Sequence, residues 1–274
     1  VKHAPDQKPQ QKHRARKRFG QHFLCDEGIV AGIVAAIRPQ AEDHLVEIGP
    51  GLGVLTEALL RTVPKLDAVE LDRDIIPKLQ ARCAPLGELT IHSADALQFD
   101  FATLAADGRP LRVVGNLPYN ISTPLMFHLL HNRAVIRDMH FMLQKEVVDR
   151  LAAAPGSKDY GRLSVMMQYH CQVEALFDVP PEAFAPPPKV DSAVVRLIPY
   201  AEPPVQVADV ALLEQVVTQA FSQRRKTLRN TLKPLLPAEA IEALGIDPTR
   251  RAETVTLAEF AALANTVANQ GDAG

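Results

Sequence analysis

Tryptophan is absent from this 274-residue chain, and aromatic residues make up only 5% of it. With rings so scarce, each aromatic beside a motif is weighed singly as a contact for a base or another ring. Cysteine is nearly absent too. Cys25, Cys83 and Cys171 are widely spaced with no Cys-x-x-Cys, which argues against a disulfide framework or a zinc site and fits a reducing compartment. No apolar run approaches the ~18 residues of a membrane span. The apolar or small stretch from Ile29 to Ile37 follows a basic N-terminus, as in a secretory leader. However, Asp26 and Glu27 precede it, Arg38-Pro39 follow, and no small-residue cleavage site comes after. We therefore expect a cytoplasmic protein without membrane contact.

Net charge is also lacking. The formal value of −2 gives no global attraction to a polyanion, so any nucleic-acid contact must come from local patches. Two such patches exist. Residues 1–18 carry seven Lys or Arg against the single acid Asp6, and Arg224, Arg225, Lys226, Arg229 and Lys233 form a second run without an acid. Clusters of this kind suit phosphate contact, each neutralised phosphate releasing counterions. A solvated tail and a polar helix face would read the same way, and charge alone does not separate the two.

The hydrophobic content of 47% with 23% charged residues describes a folded chain and excludes disorder or a fibrous repeat for most of it. Residues 1–18, rich in Pro, Gln and Lys, are expected to be a flexible basic tail. Residues 19–203 then alternate helix and strand. Helices are expected at Ile29–Ile37, Val54–Thr62, Asp74–Cys83 and Leu125–His131, and strands at His44–Ile48, Leu66–Leu71, Leu89–His92, Leu111–Val114 and Met139–Leu143. Such alternation argues for an α/β fold whose parallel sheet is covered on both faces. Ser192–Ile198 alternates as an antiparallel strand does. Pro199, Pro203 and Pro204 mark a boundary, after which residues 204–274 show only helical patterns: Ala208–Ser222, Lys226–Leu232, Ala238–Leu244 and Leu257–Val267.

Four motifs carry chemistry. Glu47-Ile48-Gly49-Pro50-Gly51-Leu52-Gly53 closes the first long strand and opens a helix, where glycines let backbone approach a ligand. Val54 breaks the dinucleotide pattern Gly-x-Gly-x-x-Gly, and no phosphate-loop Gly-Lys-Ser/Thr follows. Glu70 ends the next strand, 21 residues after Gly49, placed to accept from ribose hydroxyls. Strand, turn, helix and acid in register indicate a nucleoside-containing cofactor, without separating NAD from S-adenosylmethionine. Ser93-Ala94-Asp95-Ala96 follows the third strand, where the Asp95 carboxylate can accept from an adenine amine or cap a helix.

Gly115-Asn116-Leu117-Pro118-Tyr119-Asn120 follows the fourth. An adenine N6 is a poor nucleophile because its lone pair is delocalised into the ring. Acceptance of both amine hydrogens, by the Asn116 amide oxygen and the Leu117 or Pro118 carbonyl, favours a more tetrahedral nitrogen and stabilises the transition state over the ground state. Tyr119 offers a face on which an unpaired base can stack. The fourth motif runs from Phe184 through Pro186-Pro187-Pro188 to Val190-Asp191-Ser192-Ala193-Val194-Val195. There Phe184 is either a second aromatic wall or plain core, and the prolines rigidify the approach to a strand.

Together with Lys17-Arg18-Phe19-Gly20-Gln21-His22-Phe23-Leu24 and Phe221-Ser222-Gln223-Arg224-Arg225-Lys226-Thr227-Leu228-Arg229-Asn230, these motifs resemble the small-subunit ribosomal RNA adenine dimethyltransferase family, whose bacterial members are linked to kasugamycin sensitivity. The resemblance spans roughly residues 17–268. It implies a Rossmann-like methyltransferase sheet with a small all-helical C-terminal domain, S-adenosylmethionine as methyl donor, and no metal. The acceptors it implies are two adjacent adenosines near the 3′ end of small-subunit rRNA, each dimethylated at N6 within an immature subunit. It further implies that His22 and Leu24 border the cofactor, Gly49 and Gly51 approach its methionine portion, Glu70 holds the ribose, and Asp95 with Ala96 holds its adenine. Asn116 would touch both cofactor and target, with Leu117 and Pro118 beside it, and Tyr119 and Phe184 would sandwich the target base. Lys17, Arg18, Arg224, Arg225, Lys226 and Arg229 would hold RNA, with the protein acting as a monomer. Family members commonly carry Asn where this chain has His22.

Three other readings share parts of this pattern. Large-subunit rRNA adenine methyltransferases that confer macrolide resistance would share the glycine loop and Asn-Leu-Pro-Tyr, but the extension with its Arg-Arg-Lys cluster favours the small subunit. An RNA-binding assembly factor would not need Asn116 and Glu70 together. A nicotinamide dehydrogenase fits least, since the glycine spacing fails.

Overall fold

The computed structural model describes residues 22–271, so the basic tail, with Lys17 and Arg18, lies outside the described residues. The chain opens with a two-residue strand β1 (Phe23–Leu24) and helix α1 (Glu27–Ile37). Asp26 starts that helix by accepting from the Ile29 N–H at 2.9 Å, the expected chemistry of an N-cap carboxylate. Alternation follows in β2 (His44–Ile48), α2 (Val54–Leu60), β3 (Lys65–Glu70), α3 (Ile76–Cys83), β4 (Glu88–Ser93), β5 (Leu111–Asn116), α4 (Ser122–His131) and β6 (Ile136–Gln144). Next come α5 (Lys145–Leu151), α6 (Arg162–His170), β7 (Cys171–Val179), a two-residue β8 (Phe184–Ala185) and β9 (Ser192–Pro199). The chain ends in α7 (Val210–Ala220), α8 (Leu228–Thr231), α9 (Ala238–Ala243) and α10 (Leu257–Gly271).

Seven strands form one sheet in the order β4-β3-β2-β5-β6-β9-β7, parallel from β4 to β6 and antiparallel where β9 inserts between β6 and β7. β1 and β8 make a separate antiparallel pair, Leu24 opposite Phe184. The expected α/β architecture is therefore present. Strand order reverses between β2 and β5, and in open parallel sheets ligands bind beyond the carboxyl ends at such a reversal.

The two-residue period of each buried strand sends neighbours to opposite layers. Val46, Ile48, Val113 and Phe141 pack with Leu125 and Leu129 of α4 on one face. Leu45, Ala68, Val114 and Met142 pack with Ile33 of α1, Leu59 of α2 and Leu79 of α3 on the other. Burial of so much apolar surface, at about 25 cal/mol per Å2, is the main force holding these layers. A third cluster packs the C-terminal helices together through Leu213, Val217 and Phe260 and joins them to Tyr160 and to Val165 and Met166 of α6.

Arg112, 5% exposed, locks α1 over the sheet. Its guanidinium donates to the Ile37 carbonyl at the end of α1 and to Asp43, both at 2.6 Å, and to Asp138 at 3.1 Å. A buried guanidinium needs such partners on every side, and here they also satisfy the orphan carbonyl of a helix end.

Several boundaries differ from expectation for local reasons. The helix expected from Asp74 begins at Ile76, because Asp72 and Asp74 are taken up in a turn closed by the Asp72 carboxylate. The helix expected over Lys226–Leu232 shrinks to Leu228–Thr231, leaving Arg224, Arg225 and Lys226 on an exposed turn after α7. Elements α5, α6 and β7 had no counterpart in the sequence reading. β7 is an edge strand with a register shift between Ala175 and Phe177, which breaks the alternation by which strands are recognised.

Candidate active site

A cavity of about 250 Å3 opens beyond the carboxyl ends of β2, β3, β4 and β5, lined among others by Gly49, Gly51, Glu70, Asp95, Asn116 and Tyr119. The first three sequence motifs meet here, and the fourth contributes Val194. The glycine loop leaves β2 with φ of +65° at Gly49 and +56° at Gly51, a region that residues with a Cβ rarely adopt. A Cβ on Gly51 would stand 3.3 Å from the Phe23 ring, so the loop also needs glycine to lie under β1.

Glu70, 7% exposed, accepts from the Gly51 N–H at 3.2 Å and from the Asp72 N–H at 2.8 Å. Burial raises its carboxyl above the usual carboxylate range, and those backbone donors oppose the rise. Asp95 accepts from the Leu97 N–H at 3.0 Å, turning the chain after β4, while Ala96 is buried at the cavity wall. Leu24 borders the same space from β1.

Asn116 ends β5. Its Nδ2 donates to the His22 carbonyl at 3.1 Å, which fixes the amide orientation and leaves Oδ1 without a protein donor among the described residues. Of the two carbonyls the sequence left open as second acceptor, that of Pro118 already accepts from the Ile121 N–H at 3.2 Å, whereas the Leu117 carbonyl takes no loop or turn bond among the described residues. Leu117 itself is buried at 1% exposure, its N–H donating to the Met142 carbonyl. The Tyr119 hydroxyl shares a 2.8 Å hydrogen bond with Ser192 of β9, and burial raises its phenol above the ordinary value.

Of the two rings expected to sandwich the target base, Tyr119 lines the cavity and Phe184 does not. Phe184 is 3% exposed, packed in the core beneath β1, and is not among the residues lining the cavity. Backbone pairing with Leu24 holds it there. The ring nearest Tyr119 is the His22 imidazole, stacked at 5.9 Å between centroids and 23° between planes. Its Nδ1 donates to the Pro186 carbonyl at 2.9 Å.

Among the lining residues to which the sequence analysis gave no role are Glu47, His140 and Leu71. Glu47, 2% exposed, receives a 2.6 Å hydrogen bond from Thr56 Oγ1, and desolvation pushes its carboxyl up to about 8. An acid between Val46 and Ile48 in a buried parallel strand was the signal for it. His140 on β6 is 2% exposed, with Nδ1 3.4 Å from Asp138. Leu71 is 52% exposed at the mouth, an apolar side chain directly after the strand-end acid.

Among the described residues the lining contains no Lys or Arg. A carboxylate ready for hydroxyl donors, a glycine cradle and an acidic wall fit a nucleoside cofactor that carries positive charge. Among the described residues no group of three His, Cys, Asp or Glu could hold a metal ion, and no helix is long and apolar enough to cross a membrane. Arg224, Arg225, Lys226 and Arg229 are exposed and apart from the cavity, Arg224 donating to the Lys158 carbonyl at 2.9 Å.

Comparison with known proteins adds to this geometry. A sequence model of the ribosomal RNA adenine dimethylase family matches residues 12–269. Ribosomal RNA small subunit methyltransferase A of Pseudomonas aeruginosa is 61% identical over 256 residues, covering 93% of this chain and 96% of that protein. The protein of the same name from Saccharophagus degradans is 61% identical over 259 residues, covering 94% and 97%. Among solved structures, a dimethyladenosine transferase from Plasmodium falciparum superposes with a TM-score of 0.78 at 26% identity, covering 91% of this chain and 98% of that one. The 23S rRNA methyltransferase ErmE shares the fold, with a TM-score of 0.71 at 24% identity over 90% of this chain and 99% of that one.

Proposed function

Because the chain belongs to the ribosomal RNA adenine dimethylase family, we propose that it transfers methyl groups to N6 of two adjacent adenosines near the 3′ end of small-subunit rRNA, dimethylating each during subunit biogenesis. S-adenosylmethionine supplies the methyl group, on a positively charged sulfur. The observation that carries this reading is Asn116 Oδ1, without a donor among the described residues, beside the Leu117 carbonyl on a cavity that suits a nucleoside cofactor.

The residues divide the work. Gly49 and Gly51 let backbone approach the methionine portion, with His22 and Leu24 alongside. Glu70 would take the ribose hydroxyls, and Asp95 with Ala96 would receive the adenine amine. Asn116 Oδ1 and the Leu117 carbonyl accept the two N6 hydrogens of the target, and Tyr119 supports its ring. Acceptance of both hydrogens draws the nitrogen toward tetrahedral geometry as attack begins, so these oxygens bind the transition state more strongly than the planar amine. Orientation supplies much of the rest. The methylated nitrogen is acidic only after attack, so a strong base is not needed.

Arg224, Arg225, Lys226 and Arg229, with Lys17 and Arg18 of the tail, hold rRNA through phosphate and shape in the immature small subunit. The enzyme acts as a cytoplasmic monomer. The test is incubation with radiolabelled S-adenosylmethionine and small subunits that lack the 3′-end methyl groups, followed by mapping of the label. Two adjacent dimethyladenosines are expected. Label confined to large-subunit rRNA, or tight binding without any label, overturns the assignment.

A further inference from the structure

Among the described residues four carboxylates line the cavity, Glu47, Glu70, Asp72 and Asp95, against no Lys or Arg. Glu70 and Asp95 are each committed to backbone N–H groups. Glu47 is placed differently. It projects from the interior of β2 on the face covered by α1, its hydrogen bond comes from Thr56 of α2, and it forms no ion pair among the described residues. Facing it are Glu70 on β3, the Cys83 thiol on α3 and, across Val114 in the same row of the sheet, His140 on β6. Arg82 of α3 is turned outward to Glu57 of α2 and the Leu52 carbonyl, and α1 brings apolar side chains, its one acid Glu27 standing on the exposed first turn.

A buried carboxyl with one hydroxyl donor and no cation is kept neutral by desolvation, which here pushes it up to about 8. Near neutral pH it holds a proton, unless positive charge arrives in the cavity it borders. Resting on the function proposed above, we propose that Glu47 is the counter-charge of the donor's sulfonium. It gives up its proton when the positively charged donor binds and takes one back when the charge has left with the methyl group. Glu47 thereby makes the site hold the charged donor in preference to the neutral spent product. The site would then unload product through the same group that helps to load the donor.

The sign of the linkage follows from this. In the presence of the neutral product Glu47 remains protonated up to about pH 8, while with the donor it is ionised at lower pH. The ratio of donor affinity to product affinity should therefore climb with pH, by up to about tenfold per unit, and level off near pH 8.

The test is calorimetric titration of the intact protein with S-adenosylmethionine and S-adenosylhomocysteine, from pH 6 to 9 and in buffers of different ionisation heat. The amino-acid ammonium is carried by both ligands but titrates lower in the donor, whose sulfonium repels it, so its contribution is removed by subtracting the Glu47→Gln titration at each pH. After that subtraction the wild type should release more protons with the donor than with the product, and the pH slope of the ratio should be steeper than in Glu47→Gln. Thr56→Val keeps the acid but removes its donor, so the levelling should move above pH 8. An excess in the wild type no larger than that in Glu47→Gln overturns the inference while leaving the proposed function standing. Failure of both ligands to bind overturns both.

Discussion

The His22 imidazole lies over the Tyr119 ring, 5.9 Å between centroids and 23° from parallel, while the His22 carbonyl receives the Asn116 amide at 3.1 Å. One residue of the N-terminal segment thus touches both groups assigned to the target adenine, by ring on one and by backbone on the other. A base stacking on that face of Tyr119 has to displace the imidazole. An aromatic pair contributes about 0.5–1.5 kcal/mol beyond its buried area. His22→Ala should therefore lower the KM for small subunits by roughly 2- to 10-fold with little change in kcat, since the backbone contact to Asn116 survives. A raised KM would show that the imidazole supports the base instead of competing with it.

Asn116→Ala removes the oxygen proposed to accept from N6. Loss of one such acceptor should lower kcat by about 100- to 1,000-fold. The dissociation constant for S-adenosylmethionine, measured by calorimetry, should stay within a few-fold, because Glu70, Asp95 and the glycine loop remain. Unchanged turnover removes Asn116 from the mechanism.

Gly115 precedes Asn116 where β5 runs beside β2. A Cβ there would stand 2.5 Å from the Ile48 carbonyl oxygen, which is backbone and cannot rotate away. Gly115→Ala should cost about 1–3 kcal/mol through displacement of the strands. Thermal unfolding should register this as a fall of roughly 3–10 °C in Tm. An unaltered Tm would mean that the two strands separate there at no cost.

Arg224, Arg225 and Lys226 stand on an exposed turn, away from the cavity. Replacing all three by Gln should weaken rRNA binding and flatten the plot of log affinity against log salt by up to about 2–3 units, while cofactor affinity stays put. If both affinity and slope are retained, the RNA is held elsewhere.

The segments that the sequence reading placed well are those whose pattern is local. Leu45-Val46-Glu47-Ile48, the glycine turn and Glu70 lie within one strand-turn-helix-strand unit, and that unit is present as expected. The segment from Lys145 to Val179 was not legible, because its strand is an edge with a bulge and lacks clean alternation. Phe184 shows the other limit. Its motif put an aromatic residue near the site, yet pairing of β8 with β1 sets the ring in the core and leaves His22 beside Tyr119.

Sequence alone determined the alternation of strands and helices between His44 and Leu143, the glycine loop, the strand-end acids and the Asn-Leu-Pro-Tyr motif. These depend on spacings fixed by the rise of a strand or the pitch of a helix. Only the tertiary structure decided that Asn116 turns its amide nitrogen to His22, that among the described residues its oxygen and the Leu117 carbonyl, rather than that of Pro118, are left open, and that Glu47 is buried at the cavity wall with Thr56. Those partners come from different elements, Asn116 and His22 standing 94 residues apart. They are chosen by the order of strands in the sheet and by close packing of its layers, which no local spacing encodes.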